Sequence, residues 1–169
     1  LLRAAIDMSL DHLRAWLPWA MSEPSSLQET RELIEQGNCK FTRGEDFMYA
    51  VFSEDESEVF GGVGLHRRAE PQCFEIGYWI RSDQTGKGYA TEAVRFLVVT
   101  ALDLPYVERV QIDCDPSNAA SCRIPEKLGF SFLERRKNNK LTPQGKPRDT
   151  LVYELTDAEA LAETSMSRP

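Results

Sequence analysis

The sequence predicts an α/β (α+β) domain built on one mixed, mostly antiparallel sheet. Three observations carry that prediction. Residues 46–80 hold three short strand patterns joined by turns, the spacing of an antiparallel meander. A strongly amphipathic helical pattern follows a glycine-bearing loop over residues 81–103. Beyond it a strand, a short helix and two closing strands run through residues 107–155. The patterns amount to about six to seven strands flanked by about four helices.

The elements follow in order. Leu2, Ala5, Ile6, Leu10, Leu13 and Leu17 recur at helical spacing, so residues 1–16 read as a helix. Trp16-Leu17-Pro18-Trp19 ends it, and the two tryptophans either cap the core or line a substrate mouth. Ser26-x-x-Glu29 is a capping box, which starts a second helix expected to reach Gly37. The meander strands are Asp46–Phe52, Val59–Arg67 and Phe74–Ile80, the second carrying glycines at 61, 62 and 64. Glycine inside a strand marks a bulge or a close backbone approach. After the loop, Ala90, Ala93, Val94, Leu97, Ala101 and Leu102 form one helix face. Val107–Cys114 alternates as a strand and enters the turn Asp115-Pro116-Ser117-Asn118. A short helix spans about Asn118–Leu128 with Pro125 inside it, and Gly129 ends it. Phe130–Arg135 and Thr150–Leu155 close the sheet across a polar loop at 136–149, and 157–169 reads as a short helix and tail.

Bulk properties restrict the function. A length of 169 residues fits a single domain over 1–169. A net charge of −7 argues against a nucleic-acid partner. No apolar run is long enough to span a bilayer, so no membrane partner is expected. The four cysteines form no C-x-x-C pair and there are two histidines, so no metal site is expected. Scattered cysteines without a disulfide framework fit a reducing, cytoplasmic setting. The chain opens on a helical pattern without an initiator methionine, which suggests a missing N-terminal segment.

The loop Arg81-Ser-Asp-Gln-Thr-Gly-Lys-Gly-Tyr89 sits between a strand and a helix start. Unpaired N–H groups and the positive dipole end make a helix N-terminus an anion site, and glycines let a phosphate approach the backbone. The ligand is neither a Walker-type nucleotide nor a Rossmann dinucleotide. No Gly-Lys-Ser/Thr occurs, and Thr91 stands where the third fingerprint glycine would be.

Asp83-x-x-Gly86-x-Gly88-x-Ala90, after Gly77-Tyr78-Trp79 and before Thr91-Glu92-Ala93, resembles the acetyl-CoA loop of GNAT-fold N-acetyltransferases. Asn118-x-x-Ser121-x-x-Ile124-Pro125-Glu126-Lys127-Leu128-Gly129-Phe130, together with Trp16–Trp19, is similar to the RimJ/RimL-type branch, named for ribosomal-protein N-terminal acetyltransferases. The resemblance implies a GNAT fold with one further strand before the first helix. It implies acetyl-CoA as co-substrate, a primary amine as acceptor, foremost a protein N-terminal α-amine, and a homodimer as one assembly. Small-amine acceptors such as an antibiotic or polyamine, and acyl-CoA binding without turnover, remain alternatives. Coenzyme A should meet Trp79, Ile80, Thr85, Gly86, Lys87, Gly88, Tyr89, Ala90, Thr91, Asn118, Ser121 and Lys127, with the pantetheine arm where the third and fourth strands part. The chain departs from the family at Asp83, where Arg or Gln is common. It departs again at Pro125, where many members carry a tyrosine acid.

Acetyl transfer to an amine needs a neutral amine, a polarised carbonyl and a proton for the leaving thiolate. An α-amine is partly neutral at pH 7 where lysine is not, so a weak base suits an N-terminus. Glu75 is the base candidate. It shares a strand face with Cys73, Gly77 and Trp79, and burial there is expected to raise its pKa. Otherwise it is an edge glutamate in solvent. Through the resemblance, Ser121 is the hydroxyl that protonates the thiolate; the alternative is a packed helix serine. Asn118 either binds pantetheine or caps its helix. Cys114 ends its strand near the expected sulfur, as a mixed-disulfide partner or a buried hydrophobe. His66 is a second base, a substrate contact or a packed residue. Lys87, Arg123 and Lys127 meet CoA phosphates or solvent. Trp16, Trp19, His66 and Tyr78 are the acceptor-side candidates, with the first two helices and the 136–149 loop setting specificity.

Overall fold

The computed structural model describes residues 1–68, 70 and 72–161. Strands β1 (Asp46–Phe52), β2 (Val59–Arg67), β3 (Cys73–Ile80), β4 (Arg109–Cys114), β5 (Ser131–Leu141) and β6 (Pro147–Leu155) form one sheet in the order β1-β2-β3-β4-β6-β5. Every neighbouring pair is antiparallel except β3 and β4, which run parallel. The mixed, mostly antiparallel sheet is the one expected.

Helices α1 (Leu2–Asp7), α2 (Leu10–Arg14), α3 (Leu27–Thr42), α4 (Tyr89–Leu102) and α5 (Ala119–Lys127) cover it. The main core lies on one face, where Val94, Leu97, Val98 and Ala101 of α4 and Cys122 of α5 meet Leu65, Phe74, Ile76, Val110 and Ile112. A smaller cluster of Ile6, Leu13 and Ala20 packs with Leu2, Leu10, Leu17 and Trp79. Side chains alternate along a strand, so Trp79 and its neighbour Tyr78 face opposite ways.

Three boundaries differ from expectation. The helix expected over residues 1–16 is two helices. Ser9 breaks it, with φ −125° and ψ 10°, because its buried hydroxyl accepts the Ser82 N–H at 2.9 Å. Helix α3 runs five residues past Gly37 to Thr42. Packing on edge strand β1 outweighs the glycine there: the Phe41 ring lies edge-on to Phe47 and Tyr49 at 5.1 and 5.7 Å. The polar 136–149 stretch is mostly strand, the two arms of the β5–β6 hairpin. Asp149 stabilises it by accepting from Arg135 Nε at 2.6 Å and from the Asn138 N–H at 2.9 Å, where Asn138 turns left-handed at φ 46°. Of the expected tail, residues 159–161 begin a helical turn and 162–169 lie outside the described residues.

Candidate active site

The parallel pairing of β3 and β4 stops early. It joins Cys73 to Arg109, Phe74 to Val110 and Glu75 to Gln111, and goes no further. Beyond Glu75, β3 stays paired with β2 through Ile80, and β4 stays paired with β6 through Cys114. The two central strands therefore part at their C-terminal halves, a parting that the family resemblance implies. The loop after β3 leads to the N-terminus of α4 at the same end of the sheet.

That loop is pinned from below. Arg81 is 5% exposed, and its guanidinium donates to Asp83 at 2.6 and 3.0 Å and to Glu58 at 3.0 Å. Asp83 is thus a structural anchor that fixes Arg81. Gly86 and Gly88 have φ of 76° and 93°, a region a side chain rarely adopts. A Cβ at either would meet nothing within 4 Å, so the glycines are needed for conformation and leave the loop surface open. No side chain caps α4. The first-turn N–H groups of Tyr89, Ala90 and Thr91 therefore face the loop as unpaired donors at the positive end of the dipole, a set that suits a diphosphate. Lys87 Nζ donates to Gln84 Oε1 at 2.8 Å, and Thr85 Oγ1 donates to the Ser82 carbonyl at 3.0 Å. Thr91 and Ile80 are buried.

Behind the parting strands, on the α4–α5 side, Tyr78, Cys114 and Ser121 form a polar cluster. Tyr78 Oη lies 3.0 Å from both the Ser121 carbonyl and Ser121 Oγ, and Cys114 Sγ lies 3.5 Å from Ser121 Oγ. Burial pushes the Tyr78 phenol above its ordinary value and the Cys114 thiol up to about 12, so both are neutral donors at pH 7. Asn118 caps α5, its Oδ1 accepting from the Ser121 N–H at 3.1 Å. Lys127 is exposed at the other end of α5, roughly 13 Å along the helix from Asn118. Tyr78, expected among the acceptor-side residues, stands with Ser121 and away from the tryptophans.

The opposite face carries the rest. Trp19 lies edge-on to Trp79 at 6.1 Å, and Trp16 is half-buried at the end of α2. The hairpin tip reaches this side, where Gln144 Nε2 donates to the Arg14 carbonyl at 3.1 Å. Glu75 is opposite His66 in the β2–β3 register. Burial pushes its carboxyl up, but a 2.7 Å bond from Arg68 Nε and the charges of Lys140, Arg68 and His66 outweigh this and hold it below the usual value. The expected raised pKa is therefore corrected: Glu75 is an ionised, paired carboxylate. His66 is paired too, with Nδ1 2.6 Å from Asp46 Oδ1. Neither Asp46 nor Arg68 stands out from the sequence. Asp46 was legible in principle, since an antiparallel hairpin joining 46–52 to 59–67 in this register sets it against His66. Among the described residues no group of three or more His, Cys, Asp or Glu could hold a metal ion.

A fold of this topology with an open glycine loop at a helix N-terminus defines a class, and comparison with known proteins gives its family. Residues 3–131 match the family described as the acetyltransferase (GNAT) domain. The chain belongs to the GNAT acetyltransferase family. It is 35% identical over 155 residues to the putative ribosomal N-acetyltransferase YdaF of Bacillus subtilis, covering 91% of this chain and 83% of that one. It is 29% identical over 107 residues to the probable N-acetyltransferase YjcK of Bacillus subtilis, covering 62% of this chain. That match spans only 59% of YjcK. Among solved structures, the RimL ribosomal L7/L12 alpha-N-protein acetyltransferase in complex with coenzyme A, joined to it through a cysteine disulfide, superposes with a TM-score of 0.83. The identity there is 22%, over 93% of this chain and 87% of RimL, and it shows a shared fold. Among the described residues no helix is long and apolar enough to cross a membrane.

Proposed function

We propose that the chain is an acetyl-CoA-dependent N-acetyltransferase that moves the acetyl group directly to a primary amine, foremost a protein N-terminal α-amine. The observation that carries this reading is the parting of β3 and β4 beside the uncapped N-terminus of α4. The α4 N–H groups and the Gly86–Gly88 backbone receive the diphosphate, with Lys87 as a mobile charge. The pantetheine arm lies between the parted strands and places its sulfur near Cys114 and Ser121. A diphosphate at one end and a thioester at the other are the two parts of coenzyme A.

Ser121 donates toward the leaving sulfur, and Tyr78 holds its hydroxyl in place. Glu75, kept ionised by Arg68, supplies negative charge beside the incoming amine on the other face. Trp16, Trp19 and the β5–β6 hairpin tip border the acceptor's approach. The relatives named for ribosomal N-acetylation support the α-amine, because the same fold there serves a protein N-terminus.

Two measurements test the reading. Calorimetry should show coenzyme A binding, and its absence would remove the scheme. A thiol-release assay pairing acetyl-CoA with N-terminal peptides, polyamines and aminoglycosides should give turnover, fastest with N-terminal peptides. Preference for a polyamine or aminoglycoside would keep the chemistry and replace the acceptor. Glu75→Gln should lower turnover and leave CoA affinity unchanged.

A further inference from the structure

We infer that His66, oriented by Asp46, is the general base that takes the proton from the acceptor amine. The inference rests on the acetyltransferase reading above and assigns its proton acceptor, which Glu75 does not supply.

Two glycines lie beside the imidazole. Gly64 of β2 and Gly77 of β3 are register partners. A Cβ on either would come within 3.0 Å of His66 Nε2. The ring therefore lies across both glycines, and a side chain at either position would push it away. Gly77 is two residues past Glu75, the last residue of β3 that pairs with β4. Nε2 is thus set over the strand where the sheet begins to open.

Asp46 decides which nitrogen is basic. A carboxylate can only accept, so the 2.6 Å contact with Asp46 Oδ1 places the proton on Nδ1. In the neutral ring the lone pair then belongs to Nε2. Nε2 has no hydrogen-bond partner among the described residues, and the side chain is 24% exposed, so the base is reachable. Glu75 is exposed to a similar degree, 21%, but it is not free of partners. Its carboxylate is tied to Arg68, and its affinity for a proton is reduced. The charged groups around the imidazole are Asp46 on β1, Glu75 on β3 and Arg68 after β2, with Asp113 on β4 and Lys140 on β5 further out. Asp46 is the charge in direct contact, and it stabilises the imidazolium once formed.

The amine nitrogen gives one proton to His66 Nε2, and its lone pair forms the bond to the acetyl carbon. The bond between that carbon and sulfur breaks with its electron pair on sulfur. Sulfur takes a proton from the Ser121 hydroxyl, which solvent restores, and the imidazolium loses its proton to solvent. An imidazole is matched to an α-amine and poorly matched to a lysine side chain, so the dyad also favours weakly basic acceptors.

The test combines pH–rate profiles with NMR on the full chain. Wild type should show an acid limb in kcat/KM that reports the base. His66→Gln should lose that limb and about a hundredfold or more of kcat/KM at pH 7, with unchanged coenzyme A binding by calorimetry. Asp46→Asn should lower kcat/KM with coenzyme A binding unchanged, since the imidazolium loses its counter-charge. Glu75→Gln should retain the limb. Nitrogen NMR of the His66 ring, assigned by comparison with His12→Gln, should show Nδ1 protonated and Nε2 bare, and this pattern should be lost in Asp46→Asn. A His66→Gln enzyme with the wild-type profile overturns the assignment, as does a wild-type ring protonated on Nε2. Should His66→Gln fail to fold, the rate loss and ring state in Asp46→Asn decide the matter. If wild type itself releases no thiol with any amine, the acetyltransferase reading falls and the base assignment with it. Turnover in wild type with no effect of His66→Gln removes the base assignment alone.

Discussion

Single residues decide how the loop and the acid–base groups work. Gly88 is held at φ 93°, where a side chain costs roughly 1–3 kcal/mol. Gly88→Ala should lower stability by about that amount and weaken coenzyme A binding, read by thermal melts and calorimetry. Glu75 offers a pH test. Its carboxyl sits below the ordinary value of 4.5 in the folded chain. A carboxyl depressed in this way stabilises the fold fully above its unfolded-state value and loses that contribution as pH falls through the folded value. Acid should therefore destabilise wild type below about pH 4.5, and Arg68→Gln should make that decline shallower. The difference should be about 1 kcal/mol or less, because the Arg68 side chain is 52% exposed and water screens the pair. Urea midpoints from pH 3 to 6 would show it. At this scale the loop glycines were legible from their type, while Ser121 was named only through the family resemblance. Sequence reasoning missed Asp46 and Arg68, whose roles depend on which residue the fold sets opposite, and it misjudged Glu75 because the sign of its shift depends on an arginine seven residues away.

At the scale of elements, two glycines make opposite predictions. Gly37 lies inside α3, and a Cβ there would meet only the tip of Met48, 2.9 Å away at the end of a flexible side chain. Met48 is 46% exposed and can swing aside. Gly37→Ala should raise stability by up to about 1 kcal/mol through helix propensity. Gly61 is different, since a Cβ there would fall 2.2 Å from the Trp79 carbonyl oxygen, which is backbone. Gly61→Ala should force β2 and β3 apart and lower the melting temperature sharply. Most elements were legible because their hydrophobic period and caps are local: the Ser26–Glu29 capping box is present with both of its bonds. The broken first helix, the long α3 and the hairpin were not, because each boundary is set by a distant partner. Ser9 answers to Ser82, Phe41 to β1, and Asn138 to Asp149.

At the scale of the molecule, the mixed, mostly antiparallel sheet and the parting of the third and fourth strands were expected from the family resemblance, and the structure has both; the strand order was not read from the sequence. The reach of the hairpin tip to Arg14 was not expected, although it brings two chain regions assigned to specificity into contact. Gln144→Ala should leave coenzyme A affinity unchanged and alter KM for the peptide acceptor, which steady-state kinetics with both substrates varied would separate.

The short pairing of β3 with β4 also has a mechanical meaning. Among the described residues, three register pairs join the half-sheet β1-β2-β3 to the half-sheet β4-β6-β5, continued at one end only by the Glu108 and Arg109 N–H bonds to the Gln72 carbonyl. The backbone ladder alone is a weak seam, so the halves act as one body mainly through α4 and α5, whose side chains contact both. Leu97, 1% exposed, is one of those rivets. Leu97→Ala should cost about 2–5 kcal/mol. It should also speed hydrogen exchange on both halves together, because loosening the rivet frees the seam between them.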